Sequence, residues 1–428
     1  LKVWVLTGLL WAALAGDARG QLPEKVSELL RASNMPDTAL GVEVVRLSDG
    51  KVVWSQHRDR AMQPASTMKV LTSIVGLDTL GPAYRSRAEI STSAPLVGDR
   101  LDGDLVIRGE GNTDISWDDF SRMLQSLRQA GIREIGGNVV VDRSFFTPSR
   151  LDIGVPPFDE TPEFRYNVIP DALLINMNLA QFDIASTANA LNIRLTPQLL
   201  GVKVISNMTL VSRPCEKWED GWKLPTTVYA DGGEVRVYLE GEFPLNCAIS
   251  TNLNVIDRAE YTARLFRSLW TSMGGAFSGR VVELTDQRQP AATANSGAQR
   301  VLAEHRARPL AEVTRNINKV SDNTITRMVF LTLGVKAGEP SDAASTIAKG
   351  EQVVRKWLRT RQIDDAGIVL DNGSGLSRSE RISPKQLAAV LTAAYRSKWA
   401  PEFLSSLPIV AVDGSMRSRL KDSPAAET

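Results

Sequence analysis

The sequence predicts an α/β chain split by a β-rich insertion. Three observations carry that reading: a hairpin pattern followed by an apolar helix early in the chain, a long middle stretch of strand-like pieces between Gly and Pro turns, and helical periodicity that returns after residue 298. At 428 residues the chain has room for two or three domains, and a 43% hydrophobic content suffices for ordinary buried cores.

Taken in order, residues 1–15 place Lys2 ahead of an apolar run that ends in Ala13-Leu14-Ala15, the pattern of a signal peptide over residues 1–20. A membrane span needs about 20 apolar residues. Gly16-Asp17-Ala18-Arg19-Gly20 breaks this run too early, so at most peripheral membrane association is expected. Because the chain opens on Leu1, its start is expected to lie upstream. From Gly41 to Leu47 apolar and polar residues alternate, Ser48-Asp49-Gly50 turns, and Lys51-Val52-Val53-Trp54 completes a hairpin. Residues 66–77 then carry apolar side chains at helical spacing, with Ser66 as the N-cap or a first-turn residue.

After about residue 84 the texture changes. Strands are predicted at 105–108, 139–141, 202–205 and 235–238, with helices at 117–130 and 258–273. Helices are predicted again at 298–305, 310–319, 323–333, 341–358 and 384–396, a linker at 290–297, and a glycine-rich loop at 372–378. The division expected is therefore 21–87 joined with 291–428 as one discontinuous unit, and 88–290 as the insertion, built as two nested domains.

The 50 basic and 49 acidic side chains nearly cancel, which gives no reason to expect a nucleic-acid partner. Two histidines and two cysteines supply no clustered ligand set, so neither a metal nor another cofactor is expected, and His57 and His305 read as ordinary surface or helix residues. Cys215 and Cys247 fit one disulfide in an exported protein, or two separate buried thiols.

A serine hydroxyl needs a base before it attacks, and the usual histidine is nearly absent here. A lysine whose proton is loosened by burial can serve instead. Ser-Xaa-Xaa-Lys occurs as Ser48 with Lys51, Ser66 with Lys69, and Ser418 with Lys421. Ser48 sits in the hairpin turn and Ser418 in a charged stretch. Only Ser66 opens an apolar helix, where positions i and i+3 share a face and the N-terminus favours an oxyanion. The plain alternative is a helix cap beside a solvated lysine. Far downstream, Ser321-Asp322-Asn323 forms a polar corner between two apolar helices; Ser250-Thr251-Asn252 repeats the spacing without that setting. A cap and a turn would also explain Ser321 and Asn323.

Together with Pro64-Ala65-Ser66-Thr67-Met68-Lys69, the stretches Arg108-Gly109-Glu110-Gly111-Asn112-Thr113, Gly136-Gly137-Asn138-Val139-Val140-Val141-Asp142 and Asp371-Asn372-Gly373-Ser374-Gly375-Leu376-Ser377-Arg378 make nearly the whole chain resemble the low-molecular-mass class C penicillin-binding proteins, D-alanyl-D-alanine carboxypeptidases and endopeptidases of peptidoglycan. The 255 positions between Ser66 and Ser321 also resemble that family, which carries two extra domains there, and not the shorter interval of class A or class C β-lactamases.

The resemblance implies a transpeptidase-like catalytic domain, an antiparallel sheet flanked by helices, interrupted by two smaller domains. It implies Ser66 as nucleophile on the penultimate D-alanine carbonyl, Lys69 as its base, Ser321 as a proton relay toward the leaving D-alanine, and Asn323 as a holder of the substrate backbone. Half of an oxyanion hole would come from the Ser66 N–H. The partners it implies are peptidoglycan peptides ending in D-Ala-D-Ala and acylating β-lactams, and the place is the periplasm or another extracytoplasmic space. Cys215 and Cys247 fall where members of the family can carry a cysteine pair.

One element departs from the family: no Lys-Thr-Gly or Lys-Ser-Gly precedes Thr428, so that strand is expected beyond it, and the chain as it stands is expected to be poorly stable and weakly active or inactive. Rival readings are a β-lactamase or esterase on the same framework, and a non-catalytic peptidoglycan or β-lactam sensor. Carboxypeptidase and endopeptidase share these motifs, and the shape given to the cleft by the insertion separates them.

Overall fold

The computed structural model describes residues 22–284, 299–339 and 345–427. The expected signal peptide and the linker at 290–297 lie outside the described residues. Helix α1 (Glu24–Ala32) precedes the predicted hairpin, whose strands Val42–Val45 and Val52–Gln56 pair antiparallel with Val44 opposite Trp54. Helix α2 (Met68–Leu80) follows. Met68, Leu71, Ile74, Val75 and Leu77 are buried, and so are Lys69, Thr72 and Ser73 between them. A helix apolar nearly all round belongs in the centre of a unit.

The insertion opens with the strand Arg87–Thr92. It belongs to a five-stranded sheet ordered Val281–Leu284, Val139–Asp142, Leu105–Glu110, Arg87–Thr92, Arg300–Arg306. The first three strands run parallel and the last two pairings are antiparallel. Ile90 faces Ile107 across the sheet, and both are buried. Helix α3 (Trp117–Gln129) starts at a reciprocal cap between Ser116 and Asp119 and buries Phe120, Met123, Leu124 and Leu127, one stripe of a helical surface. Helix α4 (Arg258–Ser272), capped by Asp257, buries Tyr261, Leu265, Phe266 and Trp270 in the same core. The remaining strands build a three-stranded sheet centred on Ala180–Ser186, a four-stranded one centred on Val235–Pro244, and a four-stranded one of short strands ordered Ala276–Phe277, Glu134–Ile135, Arg100–Leu101, Leu96–Val97. Cys215 and Cys247 are joined, with an S–S distance of 1.99 Å.

One predicted helix is a strand. Residues 298–305 were expected to be helical, but Arg300–Arg306 pairs antiparallel with Arg87–Thr92. The apolar run Val301-Leu302-Ala303 is too short for its period to separate helix from strand. The open edge of the Arg87–Thr92 strand decides, because its N–H and C=O groups need partners. His305 therefore lies on a strand, where its Nδ1 is 2.9 Å from Asn112 Nδ2.

Beyond that strand, α5 (Leu310–Val320) and α6 (Asn323–Ala337) meet at Ser321, which adopts the left-handed conformation at φ 61° and ψ 41° and stops α5. Asp322 restarts the chain as a helix by accepting the Ile325 N–H at 2.9 Å. Then come α7 (Thr346–Thr360), α8 (Pro384–Arg396) and α9 (Ala400–Ser406). Helix α8 packs against the first hairpin strand, and α2, α5, α6 and α7 enclose a core of Met68, Ile74, Ile317, Val329, Phe330 and Leu358. Chain segments far apart in sequence thus form one helical unit.

Candidate active site

Ser66 does not cap α2. It sits in a 3-10 turn, Ala65–Thr67, that leads into the helix; Thr67 takes the N-cap position, and no side chain caps the end. The exposed Ser66 hydroxyl instead meets two side chains. Lys69 Nζ lies 3.1 Å from it, and Ser321 Oγ donates to it at 2.8 Å.

Lys69 follows Ser66 by three residues, so the α2 geometry sets the two on one face. Its side chain is 2% exposed. Nζ donates to Asn323 Oδ1 at 2.7 Å and to the carbonyl oxygen of Ser374 at 2.6 Å. Burial pushes the ammonium down from the ordinary lysine range to about 8, against the opposing charges of Asp322 and Glu380. A neutral amine has two N–H bonds and one lone pair. With Asn323 and Ser374 taking the two N–H bonds, the lone pair is left for the Ser66 proton.

The corner that delivers Ser321 and Asn323 is braced by the insertion. Asp322 pairs with Arg165 at 3.0 Å, Asn323 Nδ2 donates to the Tyr166 carbonyl at 3.1 Å, and Thr324 Oγ1 donates to the Val168 carbonyl at 2.7 Å. Downstream of these contacts Asp171 is buried between Arg143 and Arg258, which holds the segment in place. One N–H of the Asn323 amide remains for a substrate carbonyl.

Sequence reasoning found Ser66, Lys69, Ser321 and Asn323, and the structure brings all four together. It did not find Ser374, which contributes only a carbonyl, or Glu380. Glycine signals flag the loop 372–378 but say nothing of which peptide groups face inward. Gly375, at φ +77°, packs so closely that a Cβ there would lie 1.6 Å from the Ala65 carbonyl oxygen. The loop also forms part of the wall of a cavity of about 860 Å³ that Phe158, Asn167, Arg327, Leu376 and Arg378 help to line.

The other matches to the short patterns lie elsewhere. Ser48 and Ser418 are exposed turn residues, and Ser250 Oγ donates to Asp183 within a sheet. Among the described residues no cluster of three His, Cys, Asp or Glu could hold a metal, and no helix is long and apolar enough to cross a membrane.

The D-Ala-D-Ala carboxypeptidase 3 (S13) family matches residues 22–428. The chain is 25% identical over 428 residues to a D-alanyl-D-alanine carboxypeptidase of Actinomadura sp. (strain R39), covering 97% of this chain and 76% of that protein. It is 22% identical over 386 residues to D-alanyl-D-alanine carboxypeptidase DacB of Haemophilus influenzae, covering 89% of this chain and 76% of that protein. The crystal structure of penicillin binding protein 4 (dacB) from Haemophilus influenzae superposes with a TM-score of 0.73 at 22% identity, covering 90% of this chain and 82% of that one. The same protein complexed with a β-lactam gives a TM-score of 0.71 at 21% identity, covering 94% of this chain and 85% of that one. At these identities the structural likeness establishes the fold, with mixed sheets flanked by helices.

Proposed function

This chain belongs to the D-Ala-D-Ala carboxypeptidase 3 (S13) family, and from that premise we propose that Ser66 is the nucleophile through which it cleaves peptidoglycan peptides. The family assignment makes it a serine-type hydrolase of the penicillin-binding kind, and the β-lactamase, esterase and sensor readings are not favoured. The observation that carries the proposal is the meeting of Lys69 Nζ and Ser321 Oγ on one hydroxyl, at 3.1 and 2.8 Å.

In this reading neutral Lys69 takes the Ser66 proton as Oγ attacks the carbonyl of the penultimate D-alanine. The C–N bond to the terminal D-alanine breaks, and Ser321 relays the proton held by Lys69 to the departing amine, which returns Lys69 to its neutral form. An acyl-enzyme on Ser66 remains, and water hydrolyses it. Asn323 orients both Lys69 and the substrate backbone, while the Ser66 N–H is offered to the oxyanion. β-Lactams enter the same route and stay as the acyl group.

The catalytic unit combines 21–87 with 291–428, and the insertion is the β-rich part between them. The Arg300–Arg306 strand, although within 291–428, pairs with Arg87–Thr92 of the inserted sheet, which supports counting that strand with the insertion. We place the protein outside the cytoplasm after removal of residues 1–20. A joined Cys215–Cys247 pair accords with an oxidising compartment.

The test is acylation of the full-length protein by a fluorescent penicillin, followed by mass mapping of the adduct. It should sit on Ser66, and Ser66→Ala should abolish both the label and release of D-alanine. An adduct on another residue, or undiminished turnover by Ser66→Ala, would refute the assignment.

A further inference from the structure

Glu380 is fully buried, two residues beyond the glycine-rich loop, and it points back into that loop. Its Oε1 accepts the N–H of Asp371, Asn372 and Gly373 at 3.3, 3.1 and 2.7 Å, and Oε2 accepts the N–H of Gly375 at 2.7 Å. Successive inward N–H groups form a concave anion seat, and here the anion is supplied by the chain itself. With the N–H groups drawn inward, two carbonyls of the loop face α2: Gly373 O accepts from Thr72 Oγ1 at 2.6 Å, and Ser374 O accepts from Lys69 Nζ at 2.6 Å.

We propose that Glu380 is a positioning residue for the acylation step, holding the 371–375 loop so that the Ser374 carbonyl aims the Lys69 amine at Ser66. The inference rests on the reading of Ser66 and Lys69 given above. A buried carboxylate without partners is strongly disfavoured or changes its protonation. Four N–H donors offset that cost, and charge-assisted bonds are roughly twice as strong as neutral ones. A glutamine cannot replace it fully, because its NH2 group would face one of the N–H donors. Through space the Glu380 charge also reaches Lys69, and it opposes the effect of burial there. Lys69 is faced by Asp322 at the start of α6, itself paired with Arg165, and by Glu380 from the loop; Glu380 and Asp371 both face Arg327 of α6 as well.

Position and charge are separable. In full-length protein, acylation rates with a fluorescent penicillin are measured against pH for wild type, Glu380→Gln and Glu380→Asp. Glu380→Gln should slow acylation about 10- to 100-fold, the scale of a misplaced reacting group. It should also shift the rising limb of the pH profile to lower pH, because a charge that favours the protonated lysine is gone. Glu380→Asp keeps the charge but withdraws it by one methylene, so the rate should fall while the limb stays in place. A wild-type rate in Glu380→Gln, or a slower rate with an unmoved limb, would overturn the proposal. Should Glu380→Gln fail to fold, a wild-type rate in Glu380→Asp overturns it. Mass mapping of the wild-type adduct keeps the two readings apart, since an adduct away from Ser66 removes the site assignment itself, whatever the Glu380 variants do.

Discussion

Lys69 Nζ donates to Asn323 Oδ1 at 2.7 Å, joining the first turn of α2 to the first residue of α6 across 254 positions of sequence. The insertion occupies most of that interval. The bond fixes the amine in a place where water cannot share the proton freely, and burial lowers its affinity for that proton.

The first prediction follows from that shift. Protonated Lys69 cannot accept the Ser66 proton, so acylation should rise with pH and level off above about 8, and not near the ordinary lysine value of 10.5. Asp322→Asn removes a charge that favours the protonated form, which should move the limb to lower pH. Lys69→Met should lose about 10²- to 10⁴-fold and show no such limb, with circular dichroism unchanged. Rapid-quench acylation across the pH range measures all three.

Ser321 provides a second test. Its left-handed backbone disfavours a side chain, so Ser321→Gly should fold at least as well as wild type, whereas Ser321→Ala keeps the strain. Both remove the hydroxyl that lies 2.8 Å from Ser66 Oγ. Release of D-alanine from a peptide should fall about 10²-fold or more in both variants. The loss should track the missing hydroxyl and not the melting temperature, which paired kinetics and thermal unfolding will show.

The third concerns the loop. Gly367 and Gly375 have similar φ values, +74° and +77°, but a Cβ on Gly367 meets nothing within 4 Å while one on Gly375 would strike the Ala65 carbonyl. Gly367→Ala should therefore cost only the left-handed penalty, about 1–2 kcal/mol, and acylate normally. Gly375→Ala must push the turn that carries Ser66. It should slow acylation about 10²-fold, and its thermal unfolding should begin earlier than that of Gly367→Ala.

The amino-acid order placed Ser66 and Lys69 together, because their relation is local: a helix of known pitch sets residues three apart on one face, and the resemblance to penicillin-binding proteins then implied their roles. It also marked Ser321-Asp322-Asn323 as a corner, since a polar break between two apolar helices leaves few other conformations. Residues 298–305 were misread for the opposite reason. Their short apolar run has no distinctive period, and the free edge of a strand some two hundred residues earlier settles their state.

What the tertiary structure alone decided is what the corner does. Hydrogen bonds from Ser321 to Ser66 and from Lys69 to Asn323 exist only once α2 and α6 pack together, and nothing in their spacing encodes a distance. The Ser374 carbonyl and the Glu380 carboxylate were invisible for a further reason. A backbone carbonyl has no letter in the sequence, and the direction it faces depends on loop dihedrals that Glu380 holds from within. Local periodicity fixed which residues share a helix face; long-range packing determined the atoms that surround them, because hydrogen bonds depend on distances that only the folded chain sets.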